Sequence, residues 1–266
     1  MNIRAELSYI QPTKGPAFYF IHQIPEGESP SNVEGDRRVA SIEDARAFSP
    51  PASLDREGAQ LIPFAGIPLN ENDPDSIERD FYPKVEELVR AQIGASRVHA
   101  FDHNLRSSDK DKTVDTDVQS PVWLVHNDYT ETSAPQRVRD LLPEEADSLM
   151  TKRFVVINFW KPIHAPVHEA PLAICDAQTL RKEDCIETEL RYPDRTGQIY
   201  SFSYSERHRW FYFPEMTPDE ALLLKCFDSA EGPSGFTAHT AVRDPNTRPG
   251  TLPRQSIEVR TLAFLD

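Results

Sequence analysis

Glycine is scarce in this sequence, with 10 in 266 residues against 23 prolines. Turns must be held more often by the fixed φ of proline than by the freedom of glycine, and no Gly/Ser-rich linker divides the chain. One domain is therefore expected, with residues 96–266 as its core and residues 1–95 as an N-terminal extension packed on that core. Cysteine is scarce too. Cys175, Cys185 and Cys226 form no CxxC, and their odd number leaves one unpaired, which argues for a reducing compartment and against a structural zinc held by thiolates. No stretch approaches the ~18 consecutive apolar residues of a membrane helix. The opening MNIRAELSYI lacks the apolar run of a secretory signal, so a cytoplasmic protein without membrane contact is expected. Positive charge is also in deficit. Lys and Arg number 29 against 43 Asp and Glu, a net −14 with no basic cluster, which excludes nucleic acid as the expected partner.

What remains is 38% apolar and 27% charged, an ordinary balance for a packed domain. The apolar residues come in short segments. Ala17 to Ile21, Ser96 to Leu105, Arg153 to Trp160, Leu172 to Cys175, Glu187 to Tyr192, Gln198 to Tyr204, Trp210 to Phe213 and Gln255 to Phe264 alternate in polarity or are rich in β-branched and aromatic residues, as strands are. Lys161 and Pro162 read as a turn, and Pro25 to Gly35 and Val242 to Pro253 as loops. The polar run SSDKDKTVDTD after Arg106 reads as a loop near the site. Helical signals are fewer. Glu78 to Ile93 carries Val85, Leu88, Val89 and Ile93 at helical spacing, with Pro83 in its first turn and Gly94 as its stop. Ala134 to Met150 reads as two short helical turns. Thr217-Pro218-Asp219-Glu220 has the form of a capping box and predicts a helix through Ala221 to about Phe227. Many short strands with Pro-rich turns give a mainly β fold, a jelly roll or barrel with flanking helices.

The chemistry concentrates in PVWLVHNDYT, Pro121 to Thr130, where an apolar run leads into His126, Asn127 and Asp128. In an extended segment side chains alternate, so His126 and Asp128 point the same way and Asn127 points opposite. His239, in GFTAHTAV, can complete a set of two histidines and one carboxylate. That arrangement holds non-haem Fe(II) on one face and leaves other positions open. In RQSIEVR, the residues Arg254, Ser256, Glu258 and Arg260 alternate onto one face. The fork of Arg254 and the hydroxyl of Ser256 suit the far carboxylate of a 2-oxo diacid, whereas Arg260 with Glu258 reads equally as a solvated ladder or cross-strand pair. Two further histidine pairs read as structural. His99 and His103 are expected to share a face of a half-exposed strand with Asp102 opposed to them, and Pro162 and Pro166 keep His164 and His168 off a single helix.

Taken together, HND at residues 126–128, INFWKPI (Ile157 to Ile163), APLAICD (Ala170 to Asp176), RHRWFYFPEMTPDEALLLKCFDS (Arg207 to Ser229), FTAHTAV and RQSIEVR resemble the fungal and bacterial hydroxylase/desaturase family that includes gibberellin desaturase, the aspergillic acid hydroxylase AsaB and the cephamycin-cluster protein CmcJ. The resemblance spans most of the chain from Val98 onward. It implies an Fe(II)- and 2-oxoglutarate-dependent oxygenase of specialised metabolism on a double-stranded β-helix, the cupin-like form of the jelly roll, with His126, Asp128 and His239 as metal ligands. It also implies that 2-oxoglutarate is decarboxylated to succinate and CO2 while O2 is activated for hydroxylation, desaturation or ring closure of a small molecule, be it terpenoid, peptide-derived or an amino acid. Arg254 falls in the usual place for the co-substrate and Arg260 is its rival. Asn158 and Trp160 resemble the polar-x-aromatic pair that lines the 2-oxoglutarate site in related oxygenases, and Tyr204, Trp210 and Tyr212 are candidates for the pocket wall.

Two other readings fit the same residues. A cupin-like metal-dependent dioxygenase or isomerase would bind a chelating substrate directly and have no use for Arg254 and Ser256. A metal-free jelly-roll binding module would keep His126 and Asp128 only as a hydrogen-bonded pair. Monomer and homodimer are both compatible with the sequence, since an exposed edge strand could join two copies.

Overall fold

Every residue except 66–68, 70–72, 115, 231, 233 and 234 is described in the computed structural model. Fourteen strands are formed by the described residues: β1 (Ile3–Ile10), β2 (Ala17–Phe20), β3 (Gly35–Asp44), β4 (Ala59–Pro63), β5 (Arg97–Ser107), β6 (His126–Asn127), β7 (Phe154–Pro162), β8 (Leu172–Cys175), β9 (Cys185–Arg191), β10 (Thr196–Phe202), β11 (Trp210–Tyr212), β12 (Glu220–Asp228), β13 (His239–Ala241) and β14 (Gln255–Phe264). They make a nine-stranded sheet in the order β1-β3-β11-β8-β13-β6-β10-β9-β2 and a five-stranded sheet in the order β4-β12-β7-β14-β5. The fold is the mainly β, jelly-roll-like one that the strand pattern predicts.

Alternation along the smaller sheet sorts its side chains between two cores. Phe154, Val156 and Trp160 of β7, Leu222 and Leu224 of β12, and Leu262 and Phe264 of β14 turn inward to meet Ile174 and Phe211 of the larger sheet. Val155, Ile157 and Phe159, Ala221 and Leu223, and Ile257 and Val259 turn outward against Phe81, Tyr82, Val85 and Val89. The last three of these lie on the helix Tyr82–Ile93, whose Gly94 cap sits at φ +66° with its N–H on the Arg90 carbonyl. A third cluster, including Leu7, Tyr9, Ala173, Tyr200, Phe202, Trp210 and Tyr212, covers the other face of the larger sheet.

Several expectations change. The segment after Thr217 is not a helix but strand β12. The capping contacts form, with the Thr217 N–H donating to Glu220 Oε2 at 2.9 Å, yet they close only a turn, and Arg46 holds the same carboxylate. The run ALLLKCF has apolar groups on both faces, and pairing with β4 and β7 buries both, which a surface helix could not do. Strand β7 continues through Lys161 and Pro162, where Pro162 lies opposite Ser256, so no turn occurs there. In β5 a bulge shifts the register against β14 between Arg260 and Thr261. His103 consequently faces Val259 on the outer side, near Tyr82, while His99 faces Leu262 on the inner side, so the two histidines do not share a face. Strands β1, β3 and β4 lie within residues 1–95, where the sequence pattern predicts only the strand Ala17 to Ile21.

Leu223 is fully buried in the outer core. Leu223→Ala should lower unfolding stability by about 2–5 kcal/mol in denaturant titration, whereas a loss near zero would show that β12 is not packed as described.

Candidate metal centre

Strand β6 is only two residues long, and it is held by the backbone that leads into it and by a strand on either side. The Val125 N–H donates to Ser8 O at 2.9 Å and the Ala241 N–H to Val122 O at 2.8 Å, while β10 and β13 flank His126. In that register His126 lies directly opposite His239, with ring centroids 4.4 Å apart at 55°. Asp128 follows on the same side, its Oδ1 3.5 Å from His126 Nε2. Candidate ligand atoms of His126, Asp128 and His239 all lie within 4.8 Å of one another. Asn127 is fully buried, and its amide donates to the carbonyls of Tyr129 at 2.6 Å and Cys226 at 2.9 Å. That anchor fixes the backbone between the two candidate ligands, a role the sequence did not reveal.

Protonation is set for coordination. His126 Nδ1 donates to the Leu124 carbonyl at 2.8 Å, which turns Nε2 toward Asp128. Burial, helped by neighbouring His126, pushes His239 down to about 3, so its imidazole is neutral, and its Nδ1 is buried without a partner. Burial alone would raise Asp128, but Arg260 and His126 together hold it well below the usual carboxylate range. Two imidazoles and one carboxylate are the donor set that suits Fe(II).

The inner face of β14 continues the site. Arg260 directs Nε at Asp128 Oδ2, 3.2 Å away, and the Asn158 amide donates to the same oxygen at 2.7 Å. Glu258 is buried, so the solvated-ladder reading of this face gives way. Burial and nearby Asp128 raise its carboxyl. Farther along, Arg254 is buried, its guanidinium makes one hydrogen bond among the described residues, from Nη1 to Ala170 O at 2.6 Å, and it stands 5.7 Å from the ring centre of Trp160. It has no ion pair among the described residues. Its Nε and the Ser256 hydroxyl are buried without partners, and burial pushes its pKa down to about 9. A buried, uncompensated guanidinium beside an orphaned hydroxyl fits a ligand carboxylate.

Other candidates lie elsewhere. Trp210 and Tyr212 belong to the cluster on the far face of the larger sheet, and Tyr204 is exposed, edge-on to Tyr9 and beneath Arg38. None of these three walls the site, because the alternation of β11 turns only Phe211 inward. His168 pairs with Glu215 at the surface. Sequence reasoning also missed Asp102, which accepts from Arg260 Nη1 at 2.7 Å. A cavity of about 440 Å³ reaches Asp128 and Arg260, while a larger one of about 530 Å³ is lined by Tyr200, Phe236 and Cys185 and touches none of the three ligand candidates.

The geometry can be set beside known proteins. A family model described as an oxidoreductase/YMDC permease-like domain matches residues 7–264. Among the described residues no helix is long and apolar enough to cross a membrane. Hydroxylase/desaturase poxK of Penicillium oxalicum is 30% identical over 100% of this chain and 92% of its own length. The Fe(II)/2-oxoglutarate-dependent dioxygenase nvfI of Aspergillus novofumigatus is 29% identical over 98% of this chain and 96% of its own. A solved structure of the iron and alpha-ketoglutarate-dependent endoperoxidase NvfI superposes with a TM-score of 0.91 at 26% identity, covering 99% of this chain and 98% of that one.

Anaerobic Fe(II) at a hundred times its dissociation constant should stabilise the protein by about 2.7 kcal/mol in thermal or chemical unfolding. His126→Ala and His239→Ala should each lose that gain, and equal stabilisation of wild type and both variants would place the metal elsewhere.

Proposed function

Because the chain belongs to the hydroxylase/desaturase family of Fe(II)/2-oxoglutarate-dependent oxygenases, we propose that it oxidises a C–H bond of a small molecule in specialised metabolism, with His126, Asp128 and His239 holding the iron. Bound Fe(II) supplies the redox chemistry that couples decarboxylation of 2-oxoglutarate to cleavage of O2, one oxygen atom ending in succinate and the other in a hydroxylated product or, on desaturation, in water. The protein's own groups set the conditions. Leu124 fixes the tautomer of His126, burial keeps His239 neutral, and Arg260 keeps Asp128 ionised. Arg254 and Ser256 take the far carboxylate of 2-oxoglutarate, with Trp160 beside the guanidinium. The inward apolar cluster around Trp160, Ile174 and Phe211 keeps water from that end of the barrel. Placement of the substrate beside the metal selects hydroxylation, desaturation or ring closure. With three cysteines as free thiols, the reaction is assigned to the reducing cytoplasm.

The observation that carries this reading is the juxtaposition, on one barrel interior, of the His–Asp–His set with a buried guanidinium that has no ion pair among the described residues. A chelating-substrate enzyme or a metal-free module would leave Arg254 Nε and Ser256 Oγ unsatisfied to no purpose.

Calorimetry on the anaerobic Fe(II)-loaded protein tests it. 2-Oxoglutarate should bind, and Arg254→Met should weaken that binding about 10- to 100-fold, the worth of a charge-assisted hydrogen bond of about 1.5–3 kcal/mol, with Fe(II) affinity unchanged. Equal 2-oxoglutarate affinity in wild type and variant would contradict the assignment.

A further inference from the structure

We propose that Asn158 and Arg260 are positioning residues that commit Asp128 Oδ2 to the protein, so that Asp128 offers the metal Oδ1 alone. This rests on the reading of His126, Asp128 and His239 as iron ligands. Oδ2 accepts from Asn158 Nδ2 at 2.7 Å and from Arg260 Nε at 3.2 Å, while Oδ1 is the oxygen turned toward His126 Nε2. The guanidinium is itself held on its other sides. Nη1 donates to Asp102 Oδ2 at 2.7 Å and Nη2 lies 3.4 Å from Glu258 Oε1, so it cannot swing round to Oδ1.

The fold supplies these partners deliberately. Asn158 and Arg260 are directly opposed across β7 and β14 and face the same interior. The register of β14 on β5 runs unbroken from Gln255 opposite Ser107 to Arg260 opposite Asp102, and the bulge begins only beyond that pair, so Asp102 stands directly across from Arg260. Asp102 is partly exposed, so the chain of contacts runs from the protein surface through Arg260 to the ligand.

The consequence is for the metal's free positions. A carboxylate binding through both oxygens would take one more site on a six-coordinate ion, leaving too few for a bidentate 2-oxo acid together with O2. Holding Oδ2 keeps three positions open. Partners of this kind, which orient a ligand without touching the ion, typically change metal affinity by about 10- to 100-fold when removed.

Competition of Fe(II) between the protein and a fluorescent chelator, under anaerobic conditions, tests the inference on Asn158→Ala, Arg260→Met and Asp102→Asn. Asn158→Ala and Arg260→Met should each raise the Fe(II) dissociation constant about 10- to 100-fold. Asp102→Asn, which loosens Arg260 from outside, should shift it in the same direction by less. Metal-free Asn158→Ala should still unfold in one cooperative thermal transition, and 2-oxoglutarate affinity of iron-saturated Asn158→Ala should be retained. Wild-type Fe(II) affinity in Asn158→Ala and Arg260→Met, while His126→Ala loses iron, would overturn this inference and leave the triad standing. Weakened 2-oxoglutarate binding with intact Fe(II) affinity would overturn it too, by making these two residues part of the co-substrate site. Iron binding unchanged in His126→Ala would instead overturn the triad itself.

Discussion

The site depends on one backbone register, the pairing of His126 with His239 across β6 and β13. Side chains on a strand alternate with a period of two, so a slip of one residue would turn one histidine to the far face and dissolve the set. The register is over-determined. Ser8 and Val122 tie the flanking backbone, Asn127 reaches to Tyr129 and Cys226, and β10 pairs with β6 on its other side. A strand of two residues would not hold its place by its own hydrogen bonds. It holds because strands far apart in the sequence converge on it.

A second constraint is electrostatic. The barrel interior is apolar at the end lined by Leu262 and Phe264 and charged at the end lined by Arg260, Glu258 and Arg254. Buried charges are tolerated when paired, and removing one member of such a pair costs about 3–5 kcal/mol. Arg260 meets that condition with three carboxylates around it. Arg254 does not, and its depressed pKa and orphaned Nε mark a position completed from outside the chain. The contrast between these two arginines on one strand separates a group held against a candidate metal ligand from one suited to bind a co-substrate.

Much of this was legible in the sequence, and for a physical reason. The period of two in HND and in RQSIEVR fixes which side chains face together, whatever surrounds them. Asn158 and Trp160 share a face by the same logic. What the sequence hid were effects of pairing. The Thr217–Glu220 capping contacts are real, but a local signal could not reveal that β4 and β7 wait on either side of ALLLKCF. The bulge in β5 occurs in VHAFDH, which has no glycine to announce it, so the separation of His99 from His103 was out of reach, and Asp102 was missed because only strand pairing sets it across from Arg260. Strand β3 is polar along most of its length, and only its place between β1 and β11 makes it a strand.

The claim on which the rest turns is that iron sits between two imidazoles and a single carboxylate oxygen. Diffraction at the iron edge from crystals soaked anaerobically with Fe(II) measures this directly. The account predicts one iron bound by one nitrogen each of His126 and His239 and by Oδ1 of Asp128, with Oδ2 still on Asn158 and Arg260. Iron bound through both Asp128 oxygens, or ligated by other residues, would contradict it.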